Sequence, residues 1–260
     1  MADDTDPGAR LARYYDLDLS SDQPDLDLYL ALANSVEGAV LELAAGTGRL
    51  SVPLAAAGHE VVAVDLDEHM LARAEAAWQA ADRAGGGSLT TIAADITALE
   101  LDRRFGLMIL ALNTLLLVGD RDRQLAALRA MSRHLLPNGR AVVDVWLPTP
   151  DDLALYDGRL VLDWLRTDAE DGALVAKLWS ASLQPALARA EVDTFFDSWP
   201  AGGGQLRRTA RHDELRFVSA ADLEAMIGLA GLRVVHRAGD YSMGPFGPSS
   251  ERMLLVCGLL

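Results

Sequence analysis

The feature that most constrains this chain is an alternation of short β-rich runs with helical runs between residues 40 and 145. Such alternation is typical of a parallel sheet whose two faces are covered by helices. The predicted fold is therefore α/β, with a doubly wound, Rossmann-like sheet. The predicted strands cover residues 39–43, 60–65, 89–93, 107–112 and 140–146, and the predicted helices cover residues 49–57, 68–83 and 121–136.

The character of the sequence changes after Pro148. Residues 158–217 contain segments in which apolar and polar side chains alternate, which predicts an antiparallel β insertion of about four strands. A helix that begins near Ser219 and two strands, at residues 232–237 and 252–259, then continue the first pattern. We therefore predict one core made of residues 1–148 and 218–260, interrupted by an insertion of residues 149–217.

Composition limits the partners of this fold. A formal net charge of -15 and a pI near 4.6 would repel a polyanion, so we expect no nucleic-acid partner. The longest apolar stretch, residues 106–118, contains Asn113 and Thr114 and is too short to cross a bilayer. The acidic start, MADDTDPGAR, does not resemble a signal peptide, and we expect a cytoplasmic protein without a membrane span.

The sequence contains one cysteine, Cys257. A single cysteine forms neither an intrachain disulfide nor a cysteine-based metal site, and we expect no metal centre. Because Cys257 lies in an apolar C-terminal run, we expect it to be buried.

Two glycines follow the first predicted strand in the stretch VLELAAGTGRL. Gly46 and Gly48 would let the main chain approach a ligand closely and adopt positive φ where the chain reverses. Asp65 ends the next predicted strand, VVAVD, and its carboxylate would lie beside this turn, within reach of both hydroxyls of a ribose. Asp67 is better placed than Asp65 to cap the following helix. The pattern indicates a cofactor that contains ribose.

Two departures from known patterns narrow the choice of cofactor. A dinucleotide fingerprint would place glycine or alanine three residues after Gly48, where this chain has Ser51. A P-loop needs a lysine after the turn, whereas the only lysine in the sequence is Lys177. Phosphate binding therefore fits poorly, and a nicotinamide-dependent oxidoreductase stays an alternative.

The ordered stretches ELAAGTG, VVAVDLDEHML, AADI and FGLMILALNTLLLV resemble the motifs of class I S-adenosylmethionine-dependent methyltransferases. The stretch HRAGDYSMGPFGPSSERMLLVCG is similar to the final two strands of bacterial small-molecule, amino-sugar-type members. The resemblance implies a seven-stranded, mostly parallel sheet of order 3-2-1-4-5-7-6 whose last strand is antiparallel.

The same resemblance implies methyl transfer from S-adenosyl-L-methionine to a nitrogen or oxygen of a small-molecule acceptor, with an amine preferred. A protein that binds S-adenosylmethionine without catalysis and regulates a partner is a further alternative. Gly46 and Gly48 would approach the methionine moiety, Glu42 would orient its ammonium, Asp65 would hold the ribose and Asp95 would accept from the adenine amino group. The other residues placed at the cofactor are Tyr15, Ala44, Leu66, Met70, Ile96 and Leu112.

Methyl transfer from a sulfonium requires mainly alignment and desolvation of the nucleophile, because the leaving group is already activated. Asn113, at the end of the fourth predicted strand, is the candidate residue on the acceptor side of the methyl group. His212, in the insertion, is the candidate general base. We expect residues 149–217 to cover the acceptor pocket or to contact a second subunit in a homodimer.

Overall fold

The computed structural model describes residues 6–19 and 23–260. The chain divides into two compact units. The core unit comprises Gln23–Leu147 and Val218–Leu260, and the insertion unit comprises Pro148–Phe217 together with the described N-terminal residues. No helix within the described part of the chain is long and apolar enough to cross a membrane.

Helices and strands alternate through most of the chain. The strands, in chain order, are β1 (Val40–Leu43), β2 (Glu60–Asp65), β3 (Ser88–Ala93), β4 (Phe105–Leu110), β5 (Leu135–Trp146), β6 (Val161–Thr167), β7 (Leu174–Gln184), β8 (Arg189–Trp199), β9 (Arg207–Arg216), β10 (Leu232–Ala238) and β11 (Arg252–Leu259). The α-helices are α1 (Pro7–Asp18), α2 (Leu26–Asn34), α3 (Ser51–Ala56), α4 (Glu68–Ala80), α5 (Thr114–Leu117), α6 (Arg121–His134), α7 (Pro150–Ala154) and α8 (Ala220–Leu229).

The core unit is built on a seven-stranded sheet of order β10-β11-β5-β4-β1-β2-β3. Strands β1 to β5 pair in parallel, and β11 is antiparallel to both β5 and β10. The predicted fold class, strand order and antiparallel last strand are therefore confirmed. The carboxyl ends of β1 to β5 meet at one edge of this sheet, which is where a doubly wound fold binds its ligands.

Capping residues fix where the helices of the core unit begin. The side chains of Asp67, Asp120 and Ser219 each accept a hydrogen bond from a main-chain N–H in the first turn of α4, α6 and α8. Leu128 and Met131 of α6 are fully buried, as their helical spacing predicts. The caps therefore fix the first turns of these helices, and the apolar stripe packs α6 against the sheet.

Several predicted boundaries differ from the structure by a few residues, and two of these differences affect the site or the sheet. Strand β5 begins at Leu135, where the prediction extended the preceding helix to residue 136, because Leu135 pairs with Phe105 of β4. Strand β4 ends at Leu110, so Leu112 and Asn113 lie beyond the strand and not at its end. Short apolar runs fit a helix and a strand equally well, and only the partner strand decides between them.

The insertion unit contains a four-stranded antiparallel sheet of order β6-β7-β8-β9. Helix α1 packs on it, and the ring of Tyr14 lies 5.2 Å from that of Phe196. The indole N–H of Trp164 donates to Asp18 at 2.7 Å. The structure thus groups α1 with residues 148–217, because the apolar face of α1 completes the small core of the insertion. The predicted division placed the N-terminal residues with the core unit instead.

Candidate active site

The glycine turn joins β1 to α3 at the carboxyl edge of the core sheet. Ala44, Gly46 and Gly48 all have left-handed backbone, with φ values of 55°, 57° and 82°. The N–H of Ala45 donates to the carbonyl of Val64 at 2.9 Å, which attaches the turn to β2. Left-handed backbone costs a non-glycine residue about 1–2 kcal/mol, and such strain concentrates at functional sites. Ala44 carries that strain here.

Gly48 lies directly against helix α4. A Cβ atom added at Gly48 would lie 2.9 Å from the Cβ of Ala74 and 2.9 Å from Cγ2 of Val52. Any larger residue would therefore push α4 away from the turn. Gly48 therefore allows the helix and the turn to pack closely. It is also predicted to let the main chain approach a ligand.

Asp65, the last residue of β2, lies beside this turn as predicted from the doubly wound fold. Its Oδ2 accepts a hydrogen bond from the N–H of Gly46 at 2.7 Å, and its Oδ1 accepts one from the N–H of Asp67 at 2.9 Å. An ionised carboxylate accepts about four hydrogen bonds, so two lone pairs are left for a ligand. The carboxylate is partly exposed and fixed in direction by the main chain.

Glu42 lies on β1, below the turn, and is almost fully buried. Its carboxyl group accepts a hydrogen bond from the hydroxyl of Ser51. Burial raises the pKa of Glu42 from 4.5 to about 7, although the Ser51 hydrogen bond and the charge of Arg49 act in the opposite direction. An ammonium group bound beside this carboxyl would favour its ionised form. Ser51, which stands where a dinucleotide fingerprint has glycine or alanine, thus provides a hydrogen-bond donor to Glu42.

A buried ion pair links the glycine turn to helix α2. The guanidinium of Arg49 donates to both carboxylate oxygens of Asp25, at 2.6 Å and 2.7 Å. Bidentate pairs of this kind are strong and geometrically specific. Neither residue was predicted as part of the site, because nothing in the local pattern connects an arginine after a glycine turn with an aspartate before a helix.

Asp95 and Ile96 follow β3 at the same edge of the sheet. Oδ1 of Asp95 accepts from the N–H and the hydroxyl of Thr97, and Oδ2 accepts from Arg123 at 2.9 Å. The Thr97 main-chain hydrogen bond, with the other donors, lowers the pKa of Asp95 below 3.8. The side chain is thus held as an ionised acceptor. Ile96 is buried. Because its side chain is apolar, only its main-chain groups could recognise a polar atom of a ligand.

Two apolar residues follow Asp65 along the chain. Leu66 is 72% exposed, and Met70 lies half-buried on α4. Single exposed apolar residues are common on protein surfaces. Leu66, however, directly follows the residue that is predicted to hold the ribose, so its side chain is available to pack against an adenine ring.

Leu112 and Asn113 form a second strained turn, after β4. Both are left-handed, with φ values of 49° and 65°, and two such residues cost about 2–4 kcal/mol together. Oδ1 of Asn113 accepts from the main-chain N–H of Trp146 at 2.6 Å. Because an N–H must meet the amide oxygen, the NH₂ group of Asn113 faces the other way.

A cluster of buried polar side chains lies at the ends of β5 and β11. Asp144 is fully buried, pairs with Arg252 and accepts from the hydroxyl of Tyr241 at 3.0 Å. The hydroxyl of Tyr29 is buried and has no hydrogen-bond partner among the described residues. Burial, and the nearby charge of Asp144, raise the pKa of Tyr29. Two members of this cluster have a sequence signal: Asp144 is a carboxylate within the apolar run AVVDVW, and Tyr241 follows the predicted strand at residues 232–237.

Two predicted site residues, Tyr15 and His212, belong to the insertion unit. Tyr15 lies on α1, and its contact with the cofactor stays a prediction. His212 lies on β9 with Nδ1 2.8 Å from Oδ1 of Asp193, and its side chain is exposed. The Asp193 hydrogen bond raises the pKa of His212, which favours the protonated form over the neutral base. The general-base role stays a prediction.

Comparison with known proteins agrees with this arrangement. Residues 40–139 match the model of a methyltransferase domain. The chain is 29% identical to cypemycin N-terminal methyltransferase from a Streptomyces species over 217 residues. This alignment covers 84% of this chain and 81% of that relative. This chain is an S-adenosylmethionine-dependent methyltransferase. The oxidoreductase alternative is thereby set aside.

Two solved structures share the fold over nearly the whole chain. An S-adenosylmethionine-dependent methyltransferase from Clostridium acetobutylicum superposes with a TM-score of 0.79 at 21% identity, over 96% of this chain and 98% of that one. The CcbJ methyltransferase from Streptomyces caelestis superposes with a TM-score of 0.73 at 25% identity, over 93% and 98%. The likeness therefore includes both units of the chain.

The residues at the carboxyl edge of the core sheet fit S-adenosylmethionine, which is the cofactor of this family. The turn at Gly46 and Gly48 offers main chain without side chains, and Asp65 offers a fixed carboxylate beside it. The cofactor has no phosphate, and Arg49, the basic residue of the turn, pairs with Asp25. Backbone, carboxylates and apolar side chains are thus the groups that this edge of the sheet offers to a ligand.

Proposed function

We propose that this methyltransferase transfers the methyl group of S-adenosylmethionine to an amine nitrogen of a small-molecule acceptor. The observation that supports the site is the hydrogen bond between Asp65 and Gly46, which joins the ribose-binding candidate to the glycine turn. The amine is supported by the relative with 29% identity, which is named an N-terminal methyltransferase. The proposal specifies the atom that accepts the methyl group and leaves the rest of the acceptor molecule unassigned.

When bound, S-adenosylmethionine supplies an electrophilic methyl group on a sulfonium. In the proposed site the main chain at Gly46 and Gly48 holds the methionine moiety, and Asp65 accepts from the ribose hydroxyls. Asp95 accepts from the adenine amino group. Further apolar and main-chain contacts would come from Ala44, Leu66, Met70, Ile96 and Leu112.

Glu42 has the chemistry to recognise the ammonium of the methionine moiety, directly or through water. The carboxyl group is buried and has a pKa of about 7, so it is partly protonated at neutral pH. An ammonium group stabilises the ionised form. Binding of the cofactor should therefore release a proton from Glu42 near neutral pH, and this release is measurable by calorimetry in buffers with different ionisation enthalpies.

Asn113 is the proposed contact on the acceptor side. Because its amide oxygen is bound by Trp146, the groups that it offers to a ligand are N–H donors. An N–H donor cannot remove a proton, and it must leave free the single lone pair with which a neutral amine attacks the methyl group. It can instead orient the acceptor through a hydrogen bond to an oxygen elsewhere in that molecule. We infer that Asn113 aligns the acceptor for in-line attack, and that an amine must lose its proton before or during entry, because only the neutral amine is nucleophilic.

An acceptor assay tests this function. Short peptides with a free α-amino group and amino sugars are incubated with S-adenosylmethionine, and the release of S-adenosylhomocysteine is measured. Each compound has an N-acetylated counterpart as a matched control, which lacks a nucleophilic amine. Turnover of amines but not of the acetylated compounds is expected. Methylation of hydroxyl compounds alone would contradict the amine assignment, and turnover of any acceptor rejects a purely regulatory role.

Once an acceptor is found, the His212→Gln variant tests the candidate base. Loss of a general base lowers turnover by about 10² to 10⁴, and the pH profile should lose its histidine limb. Unchanged turnover with an unchanged pH profile would assign His212 to the exposed strand surface that it shares with Asp193.

The prediction that residues 149–217 cover the acceptor pocket or contact a second subunit in a homodimer is tested separately. Sedimentation of the full chain measures its oligomeric state. Protection of this segment from hydrogen exchange in the presence of acceptor, without a change in oligomeric state, would support a cover over the pocket. A stable dimer whose interface protects the same segment would support the subunit contact.

A further inference from the structure

The Leu112–Asn113 turn depends on Asp144 for its main-chain hydrogen bonds. The N–H of Leu112 donates to Oδ2 of Asp144 at 3.3 Å, and the N–H of Asn113 donates to the carbonyl of Asp144 at 3.3 Å. Both turn residues are left-handed and neither is glycine. Such backbone persists only where the surroundings hold it. One residue of β5 therefore contacts both amides of the strained turn.

A carboxylate at the position of Asp144 lowers the stability of the fold, because a buried charge loses its hydration. Asp144 lies in β5 between Val143 and Val145, and all three are fully buried. Burial raises the pKa of Asp144 although Arg252 and Tyr241 oppose that effect. An apolar residue would satisfy the packing of a central strand at lower cost, since buried ion pairs are seldom favoured over apolar isosteres. The carboxylate therefore has a purpose other than packing of the sheet.

Two further residues fix the direction of this carboxylate. Arg252, the first residue of β11, pairs with Oδ1, and the hydroxyl of Tyr241 donates to Oδ2 at 3.0 Å. The guanidinium of Arg252 lies 4.7 Å from the centre of the Tyr241 ring, so the two partners also hold each other. Asp144, Tyr241 and Arg252 are called the β5 cluster below.

The topology places the β5 cluster at the edge of the sheet that carries the proposed site. Arg252 pairs in register with Trp146, at the carboxyl end of β5. Since β11 is antiparallel to β5, its first residue lies at the same edge as the carboxyl ends of β1 and β4. Tyr241 belongs to the connection that precedes β11 and lies at this edge as well.

We propose that the β5 cluster is a positioning device, which holds the Leu112–Asn113 turn left-handed so that the Asn113 amide faces the acceptor. This inference rests on the proposed function only for the role of Asn113. The cluster does not touch the reacting atoms; it acts through the turn. Asn113 also begins α5, since its carbonyl accepts from Leu116 at 2.8 Å, so a loosened turn would release the helix start too.

The direct test is hydrogen exchange of the full chain carrying Asp144→Asn. Replacement of the charged acceptor weakens the hydrogen bond from Leu112 and should raise exchange at Leu112 by about tenfold or more. A smaller rise is expected at Asn113, whose N–H donates to the main-chain carbonyl of residue 144. Glu60→Gln is the matched control, because it makes the same change of carboxylate to amide at the exposed first residue of β2, away from this edge. Unchanged exchange at the turn in folded Asp144→Asn protein would overturn the proposal.

A rescue variant separates positioning from general stability. Glycine adopts left-handed backbone without the strain of a larger residue, so Leu112→Gly in the Asp144→Asn background should recover part of the lost kcat. This turnover is measured at saturating S-adenosylmethionine, because Leu112 is also a proposed cofactor contact. Asp144→Asn alone should lower kcat with a good amine acceptor by about 10²-fold, the scale of a small misplacement, while affinity for S-adenosylhomocysteine changes by less than about threefold. A purely structural role predicts neither the rescue nor this division of effects.

If Asp144→Asn does not fold, Tyr241→Phe provides the test. It removes only the hydroxyl that orients the carboxylate, and exchange at the turn should rise by about threefold. No rise would overturn the proposal. The exchange measurements need no acceptor, so increased exchange together with an absence of amine methylation would leave the cluster established and reject the proposed acceptor class alone.

Discussion

The close fit between Gly48 and helix α4 gives a prediction whose size follows from the structure. Alanine at position 48 would have to keep a φ of 82°, at a cost of about 1–2 kcal/mol. Its Cβ would also lie 2.9 Å from the Cβ of Ala74, and overpacking of this kind costs about 1–3 kcal/mol. Gly48→Ala should therefore lower the free energy of unfolding by about 2–5 kcal/mol.

Gly86→Ala is the matched control, because Gly86 has a φ of 75° and no atom within 4 Å of the added Cβ. The backbone cost and the entropy lost by the unfolded chain are the same in both variants, so the difference isolates the contact with α4. Urea unfolding should show Gly48→Ala to be less stable than Gly86→Ala by about 1–3 kcal/mol. Equal stability of the two variants would refute the packing argument.

Two other predictions concern buried charges. Folding raises the pKa of Glu42 from 4.5 to about 7. Protonation of Glu42 therefore contributes fully to the free energy of unfolding below pH 4.5, and this contribution is lost as the pH rises through about 7. Relative to Glu42→Gln, the wild type should lose about 3 kcal/mol across this window in urea unfolding, and parallel pH profiles would contradict the shift. Arg49→Ala leaves Asp25 buried and unpaired and should cost about 3–5 kcal/mol. Arg103→Ala, which breaks the exposed pair with Glu60, is its control and should cost less than about 1 kcal/mol.

The core fold was predictable because its signals are local. Apolar periodicity, the caps at Asp67 and Asp120 and the glycine turn each occupy a few neighbouring residues. The rules for parallel sheets then bring Asp65 to the turn without further information. The 2.7 Å hydrogen bond from Gly46 to Asp65 confirms that the two lie side by side.

The pairings that the sequence does not reveal are long-range contacts. Arg252 and Asp144 are separated by 108 residues, and Arg49 and Asp25 by 24, so neither pair leaves a pattern in any short window. The packing of α1 on the insertion is of the same kind, since Tyr14 meets Phe196 only in the folded chain. A single sequence shows that a buried carboxylate needs a partner, but not which residue supplies it.

The central claim is that Asp65 holds the ribose of the cofactor beside the glycine turn, and calorimetry with S-adenosylhomocysteine tests it most directly. Asp65→Ala should bind about 1–3 kcal/mol more weakly than wild type, which corresponds to about 5- to 150-fold in Kd. Asp67→Ala, which loses a helix cap two residues away, should bind within about threefold of wild type. Equal affinities for wild type and Asp65→Ala would contradict the claim.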